Sequence, residues 1–96
     1  MDETLQKLQS EIDITSWEML HPHYMREALF ILNKPNDLAQ MGKLIADNKT
    51  HLVKAFLDSN ELRRPTETEI AGFKNDEKLK FKFLIVQPFV LVQIND

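Results

Sequence analysis

The stretch from Trp17 to Arg26 contains the side chains best suited to bind a ligand. It carries Trp17, His21, His23 and Arg26. Arginine offers five donors in a planar fork and tryptophan offers a large stacking face, so the two could line a pocket. Alternatively, Trp17 packs into the core and Arg26 pairs with a neighbouring glutamate. The sequence favours this second, structural interpretation.

His21 and His23 are the two closest histidines in the chain. In an extended segment, residues at this spacing point to the same side, as in some metal sites. A functional site needs a third and usually a fourth ligand, for which Glu18, Glu27 and His51 are the candidates. No HExxH or comparable spacing accompanies them. We therefore expect no metal: His21 caps a helix end, where a partial positive charge suits the dipole, and His23 bonds within a turn.

The rest of the sequence indicates no enzyme and no cofactor. Its acidic residues at 37, 47, 58 and 61 stand where helix caps and solvated faces are expected, without an apolar surrounding that would raise a pKa. No nucleophile stands beside a plausible base. Two glycines and no cysteine argue against a phosphate-binding loop, a thiolate site or a disulfide.

Length and charge narrow the class of protein further. Ninety-six residues predict one domain, 1–96. A net charge of −3 argues against nucleic-acid binding, because such proteins usually show a basic stripe. The acidic first residues do not resemble a signal peptide, and the longest apolar run is too short to cross a bilayer as a helix. We expect a cytoplasmic protein with no membrane partner.

The carboxy-terminal run from Phe81 to Ile94 is β-prone and almost continuously apolar. Proline inside a strand removes a ladder hydrogen bond and implies an edge, a bulge or a tight reversal. No glycine is present to make a two-residue hairpin. We therefore predict two strands, at about 80–87 and 89–94, kinked at Pro88.

Apolar spacing predicts the other elements. Stripes of apolar residues predict helices over 3–13, 37–47 and 50–59, and a five-residue apolar run predicts a strand over about 28–33. Together these elements predict an α+β fold. Its small antiparallel sheet has strands at about 28–33, 80–87 and 89–94, with four to five helices packed over one face.

Capping signals predict where several helices start. Thr15 and Glu18 have the spacing of a capping box, and the helix that they start should end just before Pro22. Thr66 and Glu69 repeat the same box. Further predicted N-caps are Asp37, or alternatively Asn36, and Thr50. Gly42 weakens its helix by about 1 kcal/mol relative to alanine and indicates a close packing contact.

The apolar excess of the last strands predicts an interaction surface. A chain of this length has hardly enough helix to cover both faces of its sheet, and an uncovered apolar face is a surface for association. We therefore expect a homodimer formed through the sheet, or another protein as partner, rather than catalysis. The competing prediction is a monomer whose N-terminal helix covers the second face. A small-ligand or metal site at Trp17, His21, His23 and Arg26 is the alternative.

Three segments match the pattern of a known family. They are Ile14-Thr15-Ser16-Trp17 with Leu20, Pro22-His23 and Arg26; Asp37-Leu38 after a hydrophobic strand; and the ending Val86-Gln87-Pro88-Phe89-Val90-Leu91-Val92-Gln93. In their order and spacing, the chain resembles the small bacterial proteins grouped as domain of unknown function 2288. It departs from that family at Glu27, where a small residue such as glycine is common, and at Phe56, where tryptophan is frequent.

The resemblance implies a shared fold and brings no activity. It suggests that Trp17, His23, Arg26 and Gln93 form a common surface for a ligand or partner. Pro88, in the middle of the apolar run, completes our set of candidate binding residues.

Overall fold

The computed structural model describes residues 3–95, which form five helices and one five-stranded sheet. In chain order the elements are α1 (Glu3–Glu11), β1 (Asp13–Ser16), α2 (Trp17–Met25), β2 (Leu29–Leu32), α3 (Leu38–Ala46), α4 (Thr50–Asp58), β3 (Leu62–Arg63), α5 (Glu67–Asn75), β4 (Lys80–Val86) and β5 (Phe89–Asn95). The predicted α+β class is confirmed. The acidic start of the chain, Met1 and Asp2, and the last residue, Asp96, lie outside the described residues.

The sheet is mixed, which corrects the predicted antiparallel sheet. Its strand order is β1-β4-β5-β2-β3, and β2 runs parallel to β5 while every other pair is antiparallel. A buried strand has the same apolar side chains in either direction, so the sequence of β2 does not determine its direction. The path of the intervening helices decides it.

The carboxy-terminal run forms a tight hairpin and not one kinked ribbon. Val86 pairs directly with Phe89, so only Gln87 and Pro88 make the turn, and the peptide bond between them is cis. Tight turns with proline at their third position are a class that does not need glycine. The predicted kink at Pro88 in place of a hairpin was therefore wrong, although both predicted strands are present.

Helices cover both faces of the sheet, which corrects the prediction of helices on one face. One apolar cluster joins residues of α1 and α3 to one face of the sheet, including Leu84 and Leu91. A second cluster joins α2 and α5 to the other face around Phe81 and Val92. Alternate residues of β4 and β5 thus enter opposite cores, as the strand period requires.

Two short strands were missing from the prediction. β1 pairs with the first half of β4, and β3, only two residues long, pairs with β2. Both lie at the edges of the sheet, where few backbone groups need partners. β1 contains one apolar residue and β3 has only two residues, so neither shows the apolar run that predicted β2.

The predicted start and end of α2 were both wrong. Thr15 lies in β1 and forms no capping box; Ser16 occupies the N-cap position without a side-chain cap bond. Pro22 lies inside the helix, which continues to Met25. Pairing of β1 with β4 and burial of Trp17 therefore outweigh the local capping and proline signals, which are weak compared with tertiary packing.

The predictions for α3 and α5 were confirmed. Asp37 caps α3 by accepting from the Gln40 amide at 3.0 Å. Thr66 and Glu69 form the complete capping box of α5. At the start of α4, however, Lys49 occupies the N-cap position and Thr50 is already helical, which corrects the predicted cap.

Candidate functional site

An apolar groove lies between α3, α4 and the sheet. Its volume is about 390 Å³, which is within the range of about 300–1,000 Å³ typical of small-molecule sites. Its apolar lining is contributed by α3, α4 and three strands of the sheet. These residues are Phe30, Leu44, Ile45, Val53, Leu57, Leu62, Phe89 and Leu91.

The groove exists because α4 stands away from the centre of the sheet. α4 packs chiefly against α3 and β3. None of its residues is buried, although it carries an apolar stripe that includes Val53, Phe56 and Leu57. α3, of equal length, buries four residues against the sheet. The apolar stripe of α4 therefore faces a partly open space and not a closed core.

Aromatic rings and cations give the groove its character. Phe30 and Phe89 meet edge to face, with ring centroids 5.7 Å apart, and the Arg64 guanidinium lies 4.9 Å from the Phe30 ring centroid. Lys49 and Lys54 are among the lining residues, which include no aspartate or glutamate. The site is therefore an apolar cavity with a positively charged rim.

Sequence reasoning did not identify this site. Periodicity correctly marked the apolar face of α4, but the pattern of an amphipathic helix is the same whether it closes a core or borders a groove. The sequence contains one pattern that points to the groove: Lys49 and Lys54 stand on either side of Val53 in the chain. A lysine pair beside an apolar helix face is also common on ordinary solvated helices, so this signal is weak.

Trp17 lies in the core, as the structural interpretation predicted, whereas Arg26 bonds to His23 in place of the predicted glutamate. Trp17 is 6% exposed. Its ring contacts those of His21, Tyr24, Phe73 and Phe81 at centroid separations of 5.2–6.1 Å. Its indole Nε1 is buried and has no hydrogen-bond partner among residues 3–95. An unpaired buried donor costs about 1–3 kcal/mol, which makes this atom a reason to consider a ligand.

A second, polar pocket adjoins Trp17. Its volume is about 680 Å³, and its lining includes Glu18, His21, Lys80 and Glu77. His23 and Arg26 are not part of it. The predicted ligand region is thus divided: Trp17 and His21 border one pocket, and the other two candidates lie elsewhere.

His21 and His23 do not face the same side. Both lie inside α2, where residues two apart point in nearly opposite directions, so the predicted places of His21 at a helix end and of His23 in a turn were wrong. His21 contacts the Trp17 and Tyr24 rings, while His23 Nδ1 accepts a hydrogen bond from Arg26. Between residues 3 and 95 there is no group of three or more histidine, aspartate or glutamate side chains that could hold a metal ion.

Arg26 occupies the C-cap of α2, and Glu27 follows with φ of 61°. The Glu27 amide donates to the Tyr24 carbonyl at 2.9 Å and the Ala28 amide to the His23 carbonyl at 3.0 Å. These two bonds define a Schellman ending, which favours glycine at the left-handed position. The small residue that the family resemblance implies at this position therefore suits the backbone geometry.

Gln93 is buried on the face of the sheet that carries α3. Its Nε2 donates to the Asn36 carbonyl at 2.6 Å, and the Asn36 side chain donates to the Asn33 carbonyl at 2.9 Å. Arg63 donates in turn to the Asn33 side-chain oxygen at 3.2 Å. Gln93 thus fixes the loop between β2 and α3.

Arg63 also links this hydrogen-bond network to α5, which packs on the other face of the sheet. Its guanidinium makes two bonds, of 2.6 and 2.9 Å, to the Glu69 carboxylate. These bonds hold the pKa of Glu69 below its ordinary value and raise that of Arg63. β3 and α5 are thereby joined at the edge of the sheet.

Pro88 is exposed in the turn between β4 and β5. The Val90 amide donates to the Ala28 carbonyl at 2.9 Å, which places this turn beside the end of α2. Trp17 contacts Phe81, at the far end of the hairpin. Of the five candidates, only His23 and Arg26 touch each other in the contacts described above, and binding roles for the set stay predictions.

Fold and site together define a small α+β protein whose mixed sheet lies between two helical layers and borders an apolar groove. The chain belongs to the family described as protein of unknown function (DUF2288), whose model matches residues 3–94. The family that the sequence resembles is thus confirmed.

The fold is also similar to that of PA1075 from Pseudomonas aeruginosa, solved in solution by NMR. The two share 26% sequence identity with a TM-score of 0.80, over 100% of this chain and 89% of the other. The comparison with curated proteins finds no match. No helix within residues 3–95 has the length and apolar character needed to cross a membrane.

Proposed function

We propose that this protein is a non-enzymatic binding module whose binding surface is the apolar groove beneath α4. The observation that carries the proposal is the pairing of a cavity of about 390 Å³ with a helix that buries none of its residues. Covering exposed apolar surface with a partner stabilises the complex by roughly 25 cal/mol per Å² of surface buried. The groove therefore takes up an apolar group from a partner.

A neutral fluorescent probe, N-phenyl-1-naphthylamine, tests this proposal. Val53→Phe fills the groove from α4 and should weaken probe binding at least tenfold. Leu52→Phe is the matched control, because Leu52 is 51% exposed on the same helix and does not line the groove. No binding to the wild-type protein, or equal binding by the two variants, would refute the proposal.

Self-association through the sheet is a further proposal, and it needs a surface other than the two covered faces. β1 pairs with β4 only from Lys80 to Phe83, so the edge from Leu84 to Val86 has no partner strand among the described residues. Ile85 on this edge is 45% exposed. Antiparallel pairing of two such edges would make a symmetric dimer.

Light scattering at tens of micromolar protein decides the question of self-association. A dimer has twice the 11.3 kDa of one chain, and Ile85→Lys should return it to a monomer by placing two like charges across the interface. A wild-type mass equal to one chain excludes the dimer.

The alternative is a small-ligand site at Trp17 and His21. The unpaired Trp17 Nε1 and the adjoining polar pocket favour it. A ligand acceptor that reaches Nε1 would change its NMR signal. Native mass spectrometry that finds only the free chain, together with an unperturbed indole signal in cell extract, would exclude this alternative.

A further inference from the structure

We infer that the groove selects amphipathic carboxylates, molecules with a medium-length alkyl chain and one terminal carboxylate. The inference rests on the proposed function, because it requires that the groove bind an apolar group at all. The inference goes beyond the proposed function because it names the chemistry of the ligand.

The alkyl part of the ligand is indicated by the shape and lining of the groove. The walls are aliphatic on the α3 and α4 side and aromatic where Phe30 and Phe89 meet. None of these apolar side chains can pair with a polar group of the ligand. A flexible hydrocarbon chain is therefore a better occupant than a polar molecule of the same volume.

The charge of the ligand is indicated by the rim. Lys49 and Lys54 both line the cavity, and no carboxylate does. This local excess of positive charge occurs in a chain whose net charge is −3. The charge of the rim is thus opposite to that of the whole molecule, and it favours an anion at the mouth of the groove.

Lys54 is available to a ligand. Its ammonium lies 3.4 Å from the Asp58 carboxylate, and the Lys54 and Asp58 side chains are 76% and 67% exposed. An exposed pair of this kind contributes little to stability, so a ligand carboxylate can replace Asp58 at small cost. Arg64, stacked on Phe30, adds a third cation near the site.

The test is competition for bound N-phenyl-1-naphthylamine by decanoate, decan-1-ol and decylamine. These three share one alkyl chain and differ in charge. Decanoate should displace the probe at a concentration roughly two to five times lower than decan-1-ol does, because it gains one exposed ion pair with Lys49 and exchanges the Asp58 pair of Lys54. Decylamine should be the weakest, and added salt should reduce the preference.

The double variant Lys49→Gln/Lys54→Gln should lose the preference for decanoate and still bind the neutral probe. Lys78→Gln, which removes an exposed lysine outside the groove, should keep it. Equal displacement by the three compounds while the probe binds would overturn the inference and leave the proposed function standing. If the probe itself does not bind, both fail. A second copy of the chain that excludes the probe would also overturn the inference.

Discussion

Gly42 lies where α3 packs closely against β4 of the sheet. A Cβ atom at this position would lie 2.7 Å from Leu84 Cδ2 and 3.2 Å from Val86 Cγ2. Leu84 is completely buried, so it cannot move aside without disturbing its neighbours. The close contact expected from the sequence is therefore confirmed, and its partners are in β4.

We expect Gly42→Ala to destabilise the protein by about 1 kcal/mol. Overpacking a core costs about 1–3 kcal/mol, and alanine returns about 1 kcal/mol of helix propensity. Gly72 in α5 is the matched control, since a Cβ there meets nothing within 4 Å. Gly72→Ala should stabilise by about 0.5–1 kcal/mol. Urea unfolding of both variants measures the difference, and equal effects would contradict the packing argument.

The backbone conformation of Glu27, with φ of 61°, predicts the effect of another substitution. Glutamate in a left-handed conformation is strained, while glycine is not. Glu27→Gly should therefore raise the free energy of unfolding by about 0.5–1 kcal/mol. Asn48, with φ of 58°, occupies the equivalent position after α3. Asn48→Gly should gain less, because asparagine tolerates this conformation. A loss of stability in Glu27→Gly would show that the Glu27 side chain makes a favourable contact.

At the scale of elements, one ion pair joins β3 to α5. Arg63 and Glu69 are partly buried, with side-chain exposures of 21% and 27%. Glu69 also accepts from the Thr66 amide at 3.0 Å, so the same carboxylate caps the helix. β3 has only two residues, and this pair supplies an attachment that its short ladder lacks.

The stabilisation by Glu69 should depend on pH. Its pKa is lowered in the folded protein from an ordinary value of 4.5. The contribution is therefore present above pH 4.5 and is lost as pH falls through the lower, folded-state pKa. Glu69→Gln should cost about 1 kcal/mol at pH 7.

Thermal unfolding between pH 7 and pH 3 measures this dependence. The difference between wild type and Glu69→Gln should shrink in the acid range. The control is Glu67→Gln, in the same first turn but exposed. A difference that is constant with pH would show that the charge of Glu69 contributes nothing.

At the scale of the whole molecule, α3 should resist local opening more strongly than α4 does. α3 and α4 have nine residues each, but only α3 has buried residues. Local opening requires less free energy where fewer apolar contacts are lost. Amides of α4 should therefore exchange with deuterium faster than those of α3, by a factor of at least ten. Adding a ligand that fills the groove should slow the exchange of α4 selectively. Equal protection in both helices would contradict an open groove.

Most of the helices and strands are predictable from the order of residues in the chain. Apolar periodicity located α3 and α4, and continuous apolar runs located β2 and the two strands of the hairpin. The capping box of α5 was also visible, since its bonds join residues three apart. These features depend on neighbours in the chain, so the chain alone specifies them.

The remaining features depend on contacts made only in the folded protein. The direction of β2, the placement of helices on both faces and the two short edge strands all depend on contacts between distant residues. The same holds for the continuation of α2 through Pro22, where burial of Trp17 outweighs a local stop signal. The groove was hidden for the same reason: whether the apolar face of α4 is covered depends on where α3 and the hairpin lie. Local sequence sets which faces are apolar, but packing in three dimensions determines which of them remain open.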